Sequence, residues 1–375
     1  MGSSLKLFSI WDIDIRVHIT FPLILLWAAF QFGSLTGNLS GALFGVVAIS
    51  LLFVLVTLHE LGHSYAALRY GVPVKQIVLS PIGGVAQLAS IPDKPLQEFV
   101  IAIAGPLVNV VIAVLMGAVV VLFGLPVTNP MAVLTGLSVG GFTLLALFSY
   151  VFVYNIFLAA FNLIPAFPLD GGRVFRALLA MRLNYVTATN IASAVGRAFA
   201  VALGIYAFFT GGIFLVLIAV FVYMAAGQEA AYVRMRSVLR GYTVQQIYSA
   251  EVHRIPPSYT IQQAFNLMAF TGQSALPVTF DEQLVGIVTR PGLLAAMRQF
   301  PPYATVDEVM LANVRPVDLT TDLYDVQQRM AEEQAEALPV TGNGRFMGLI
   351  SARQVNELLR WLRATPQPTP HVQGT

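Results

Sequence analysis

Residues Ala42–Leu68 read ALFGVVAISLLFVLVTLHELGHSYAAL. The run exceeds the roughly 20 apolar residues a helix needs to cross a bilayer, and its ionisable groups, His59, Glu60 and His63, gather near one end. Histidines at i and i+4 share one helix face, so both imidazoles can reach a single ion while the glutamate stands beside it. Such a trio against a membrane span is costly unless it has a function. The stretch therefore predicts a membrane-embedded helical architecture and a metal hydrolase within it.

The rest of the chain agrees. Of its 375 residues 57% are hydrophobic and 11% charged, with mean hydropathy +0.73. A soluble globular protein has about 25% charged residues, so an ordinary soluble enzyme and a disordered chain are both excluded. Cysteine is absent, which excludes disulfides and thiolate metal sites. A net charge of +2 without a basic stripe gives no reason to expect a nucleic-acid partner.

Apolar spans at 20–33, 42–68, 99–124, 132–164, 194–208 and 210–227 predict six crossings, the fifth short and joined to the sixth in a tight hairpin at Thr210-Gly211-Gly212. The connections near Gly33–Ser40, Gly124–Pro130 and Thr210–Gly212 carry no charge. Those holding Arg69, Lys75 and Lys94, then Arg173, Arg176 and Arg182, then Arg234, Arg236 and Arg240 are basic. The positive-inside rule makes the basic set cytoplasmic, with both termini on that side. Asp12, Asp14 and Arg16 interrupt the N-terminal stretch, which does not read as a cleavable signal peptide.

Between Ile15 and Gln228 the only carboxylates are Glu60, Asp93, Glu98 and Asp170, whereas acids are frequent from Glu229 onward. The expected organisation is a membrane domain at 1–228, a linker at 229–242, a soluble α/β part at 243–363 and a disordered Pro/Thr-rich tail at 364–375. The soluble part repeats. Ala275-Leu276-Pro277-Val278-Thr279 returns as Ala337-Leu338-Pro339-Val340-Thr341, and Gly286-Ile287-Val288-Thr289 as Gly348-Leu349-Ile350-Ser351, both at a spacing of 62 residues. Each copy, 243–300 and 301–363, reads as helix, strand, turn, strand, helix. These residues resemble a tandem pair of cystathionine-β-synthase (CBS) domains.

A catalytic zinc has three protein ligands and an open position. His18, His253 and His371 lie outside the spans, so a third imidazole is not expected. Asp170, in Asn162-Leu163-Ile164-Pro165-Ala166-Phe167-Pro168-Leu169-Asp170-Gly171-Gly172, either caps a helix starting near Gly171 with Arg173 or Arg176 as partner or completes the metal site. A two-histidine site lacking its third ligand favours the metal. The prolines and glycines around Asp170 break the fourth span, and irregular backbone at membrane depth is tolerated only where protein covers it or it lines a wet cavity.

The pairing of His59-Glu60-x-x-His63 with Asn162-x-x-Pro165-x-x-Pro168-Leu169-Asp170-Gly171 resembles the site-2 class of intramembrane metalloproteases, one subgroup of which carries a C-terminal CBS pair. The resemblance implies a polytopic α-helical membrane domain of about six helices followed by the α/β CBS pair, in a bacterial or archaeal cell membrane. It implies one Zn²⁺ per chain held by His59, His63 and Asp170, with Glu60 as catalytic base. The implied function is regulated intramembrane proteolysis: zinc-dependent cleavage of a membrane-anchored regulator, such as an anti-sigma factor or a membrane-tethered precursor, within or near its transmembrane helix. Asn162 is an expected substrate or oxyanion contact. Asn109 also matches a family motif but is read as glue between helices.

Val74–Ser90 reads as a hairpin near the membrane around Pro81, Gly83 and Gly84, whose edge is suited to pairing with an extended substrate strand. Nucleotide-binding CBS pairs usually carry an acid three residues after the Thr or Ser, where Gly292 and Gln354 stand here. Weak adenine-nucleotide binding is therefore expected, with Arg290 and Arg353 as candidate phosphate contacts and no cofactor assigned to the pair. A homodimer through it is a further expectation. The competing reading is a CBS-gated transporter or channel, which leaves the joint presence of the two motifs unexplained.

Overall fold

A computed structural model describes residues 4–81, 83–88, 94–126, 143–281, 283–312 and 314–364. It divides into Met1–Ala231 and Tyr232–Thr375.

The first unit opens with β1 (Ser4–Ile10) and β2 (Ile13–His18), an antiparallel hairpin turned by Trp11 and Asp12, both at positive φ (51° and 61°). Backbone of that hand matches the twist of the flanking strands. After α1 (Phe21–Thr36) and α2 (Leu39–Arg69) come β3 (Val74–Ser80) and β4 (Gly83–Leu88). The sheet order is β1-β2-β3-β4, with β2 and β3 parallel and the outer pairs antiparallel. The expected hairpin is thus one half of a larger sheet. Ile13, Ile15, Ile77 and Leu79 bury its inner face against residues of α2 such as Phe53, Leu61 and Ala67.

Among the described residues, five helices are long and apolar enough to cross a membrane: α2, α3 (Pro95–Phe123), α4 (Leu144–Asn162), α6 (Tyr185–Thr210) and α7 (Ile213–Leu239). A sixth, α1, has 16 residues. At about 1.5 Å per residue it reaches ~24 Å, short of a ~30 Å hydrocarbon core. Six full crossings were expected, and the described residues hold five together with this shorter apolar helix. The expected fourth span begins at 132, outside the described residues, and its described helix starts at Leu144. The fifth is not short. α6 begins at Tyr185, capped by the Asn184 side chain accepting from Thr187 N, because the mixed stretch 185–193 is helical without being uniformly apolar. The sixth likewise outruns its apolar part, and α7 stays helical through Glu229, Arg234 and Arg236 to Leu239, across most of the expected linker. Between α4 and α6 lies α5 (Asp170–Ala180). The expected disordered tail falls outside the described residues apart from its first residue, Ala364, which closes the last helix.

The second unit repeats as its sequence does. The first copy has a 3₁₀ turn at Val244–Gln246, α8 (Ile261–Thr271), β5 (Ala275–Phe280), β6 (Gln283–Thr289) and α9 (Arg290–Gln299). The second has a 3₁₀ turn at Val306–Glu308, β7 (Val317–Asp318), α10 (Leu323–Glu332), β8 (Ala337–Gly342), β9 (Arg345–Ser351) and α11 (Ala352–Ala364). Ser249 pairs with Leu349, and Leu311 with Ile287, so each copy lends a bridge to the other's sheet at equivalent positions. Ala275, Ile287, Ala337 and Leu349 fill the seam between them.

Candidate metal centre

His59, Glu60 and His63 lie near the C-terminal end of α2. Pro165 to Leu169 leave the helical path after α4, and the chain re-enters a helix at Asp170, the first residue of α5. That break brings Asp170 to the histidines. Its Oδ2 is 3.0 Å from His59 Nε2 and 3.1 Å from His63 Nε2, and the two Nε2 atoms are 3.1 Å apart. Among the described residues this is the one group of three or more His or acidic side chains arranged to hold an ion. Both histidines are buried, at 4% and 8% exposure.

The other ring nitrogens reveal what the cluster presents. His63 Nδ1 donates to the carbonyl of Ile101 at 2.7 Å, and His59 Nδ1 donates to Asn109 Oδ1 at 2.5 Å. Each Nε2 therefore carries a lone pair toward Asp170. Two imidazole lone pairs and a carboxylate oxygen converge with no proton of their own to share, a donor set that fits Zn²⁺. Gly105 on α3 makes room, since a Cβ there would stand 2.2 Å from His63 Nε2.

Glu60 does not join this cluster. Its Oε2 accepts from Ala86 N on β4 at 3.1 Å, beside the three-residue cluster rather than in it. Gly84, two residues earlier, lies flat on α2, where an added Cβ would stand 2.9 Å from Glu60 Cγ. Gly83 sits at φ 138°. Asn162 is the half-buried last residue of α4. His18 bonds Thr20 and His253 bonds Gln273, away from the cluster, and His371 is outside the described residues.

Three features escaped the sequence reading. Asn109 is more than glue, because it holds His59 while its Nδ2 donates to Asn155 Oδ1 on α4 at 2.7 Å. Asn155, an amide in the middle of an apolar helix, was the available signal. Arg176 does not serve Asp170. Its Nε donates to Glu98 Oε1 at 2.9 Å, Nη2 donates to the same oxygen, and Nη1 donates to Glu229. The guanidinium also stacks on Phe167 and Tyr185, so α3, α5 and α7 are clamped at one buried cation.

With this geometry in place, comparison with known proteins assigns the chain. Residues 47–203 match Peptidase family M50, and 244–299 and 306–360 each match the CBS domain. Zinc metalloprotease MJ0392 of Methanocaldococcus jannaschii is 32% identical over 355 residues, 95% of this chain and 96% of the relative. The chain belongs to peptidase family M50. Stage IV sporulation protein FB of Bacillus subtilis is 26% identical over 62% of this chain and 73% of its own length. The structure described as Site-2 Protease from Methanocaldococcus jannaschii aligns at 38% identity, covering 61% of this chain and 95% of that one, with TM-score 0.44. This M50 member is a zinc metalloprotease and an integral membrane protein with a C-terminal CBS pair.

Proposed function

We propose that the chain is an intramembrane endopeptidase that cleaves a membrane-anchored regulatory protein within or near its transmembrane helix. In this reading His59, His63 and Asp170 hold the zinc and Glu60 is the catalytic base. The observation that carries it is the convergence of two imidazole lone pairs and one carboxylate oxygen beside a glutamate that is left out of the cluster. Zinc held there would supply Lewis acidity, the chemistry that activates a water and polarises a carbonyl. Glu60 takes the proton from the attacking water and returns it to the leaving amine.

A helical substrate must unwind before its peptide bonds are reachable. β4 offers what an unwound segment needs, because it is an edge strand and its Ala86 N–H points at Glu60 rather than at β3. A substrate strand added to that edge, over Gly83 and Gly84, brings its backbone to the base with little demand on side-chain identity. Asn162, at the end of α4, is the proposed polar contact for the substrate carbonyl. A membrane-tethered precursor or an anti-sigma factor is the substrate class that the resemblance to site-2 proteases implies.

The CBS pair is proposed to dock or bias rather than to catalyse. Adenine nucleotides bind it weakly in this reading. Thr289 Oγ1 accepts from Gly292 N, and Gln354 Nε2 spends itself on Ile247 O and Ser249 Oγ, so neither position offers a ribose-binding acid. A homodimer through the pair and cytoplasmic termini belong to the same proposal. Three measurements test it. Purified chain carries one zinc, lost in His59→Ala. Reconstituted chain cleaves a single-span protein and gives no solute flux across the vesicle, which the transporter reading requires. A cysteine at Leu35 reacts with an impermeant reagent added outside intact cells.

A further inference from the structure

The two histidines of the cluster are oriented by different means. His63 Nδ1 donates to a backbone carbonyl, that of Ile101, which no substitution of a side chain removes. His59 Nδ1 is held by a side-chain amide, Asn109, and an amide can turn over. Turned, Asn109 would present its NH₂ to His59 Nδ1. The imidazole would then accept at Nδ1 and carry its proton on Nε2, the nitrogen that faces Asp170 and His63. That tautomer cannot ligate.

What stops the turn lies one helix further out. Asn155 Nδ2 donates to the backbone carbonyl of Asn109 at 2.8 Å, and a carbonyl can only accept, so the Asn155 nitrogen must sit there. Asn155 Oδ1 is thereby left facing the Asn109 side chain, where it accepts from Nδ2 at 2.7 Å. With its nitrogen so engaged, Asn109 turns Oδ1 to His59, and His59 must place its proton on Nδ1. Each link is fixed by the one before it, starting from a group whose polarity cannot change. Asn109 and Asn155 are both fully buried, so water cannot substitute for either amide.

We propose that Asn155 is a positioning residue for the metal centre, acting through Asn109 to hold His59 in its ligating tautomer. The inference rests on the proposed zinc ligands and deepens that reading. It distinguishes Asn155 from the many residues that merely pack α3 against α4, because it assigns a direction to two amides and a proton to one nitrogen.

Zinc affinity of the detergent-solubilised full chain, read by competition with a chromophoric chelator, tests it. Asn155→Leu keeps the branched heavy-atom shape and frees Asn109, and weakens zinc binding roughly 10- to 100-fold, the size expected for loss of an outer-shell partner. The diagnostic variant is Asn155→Leu combined with Asn109→Asp. A carboxylate has oxygen on both sides, cannot present a donor, and restores zinc binding although it leaves the protein less stable by burying a second acid. Recovery of affinity together with lower thermal stability is an outcome that a packing role does not produce. Unchanged affinity in Asn155→Leu, or a loss that Asn109→Asp fails to repair, overturns the inference. Should Asn155→Leu not yield monodisperse protein, long-range ¹⁵N–¹H spectra of metal-free wild type decide: a His59 proton on Nδ1 supports the relay and one on Nε2 refutes it. His59→Ala is the control for the underlying reading. If that variant keeps its zinc the ligand assignment itself fails, whereas loss there with retention in Asn155→Leu removes only the relay.

Discussion

The two units bury different kinds of residue. Of the twelve buried polar or charged residues among those described, eleven precede Tyr232 and only Arg236 follows it. The CBS copies instead fill their interiors with matched aliphatics: Leu276, Val278, Val288 and Leu293 in one, Leu338, Val340, Ile350 and Val355 in the other. In water, burial of apolar surface drives folding, so polar groups stay outside. Lipid removes that sorting, because the outer surface of a membrane helix is itself apolar. Exposed Leu122, Phe123, Phe208 and Phe209 show the inversion, and polar side chains collect where helices meet. Burial in the CBS pair therefore reports a fold, whereas buried polar residues in the membrane unit report a site.

Substitutions at the two kinds of interior should differ accordingly. The largest effect is expected at Glu60. Glu60→Gln should lower kcat by about 10²- to 10⁴-fold while zinc content stays at one per chain, as measured by cleavage of a single-span protein in vesicles and by metal analysis. Near-normal turnover would remove Glu60 from the chemistry. Next comes the buried clamp. Arg176→Ala leaves Glu98 and Glu229 facing each other without a cation and should destabilise the membrane unit by about 3–5 kcal/mol, seen as a lower thermal transition in detergent. A variant as stable as wild type would mean that the charges are dispensable.

An apolar interior should behave otherwise. Leu338→Ala, at a fully buried position in the second CBS copy, should cost about 2–5 kcal/mol through lost contacts and a cavity, with zinc content unchanged. Loss of zinc in that variant would show that the two interiors are not independent. The smallest effect is expected at Gly84→Ala. The new methyl meets Val56 Cγ1 at 2.8 Å and Glu60 Cγ at 2.9 Å, so the β4 edge must lift slightly from α2. Turnover should fall several-fold with zinc retained, and an unaffected rate would argue that the edge does not meet the substrate. Several-fold corresponds to about 1 kcal/mol in the barrier.

Much of this protein was legible because its signals are local or repeated. Apolar runs of sufficient length mark spans whatever they pack against, the i, i+4 histidines share a face by helix geometry alone, and a period of 62 residues reads as two copies without any structure. Asp170 was legible for a different reason, since a lone acid among prolines in an apolar context demands a partner. Helix ends were less so. α6 and α7 extend past their apolar parts because capping and packing, rather than hydropathy, end a helix.

Partnership between distant positions was decided only by the tertiary structure. No periodicity links residue 155 to 109 and 59, or 176 to 98 and 229, and each of these groups draws on three different helices. β2 joins β3 in parallel only after two helices intervene, so the N-terminal hairpin gives no local hint that it completes a sheet. The sequence by itself determined which residues are suited to the proposed chemistry, because residue type and short spacing fix what an atom can donate or accept. Which nitrogen points at Asp170, and which amide holds it there, follows from the three-dimensional approach of helices far apart in the chain, because a hydrogen bond's direction is set by both of its partners.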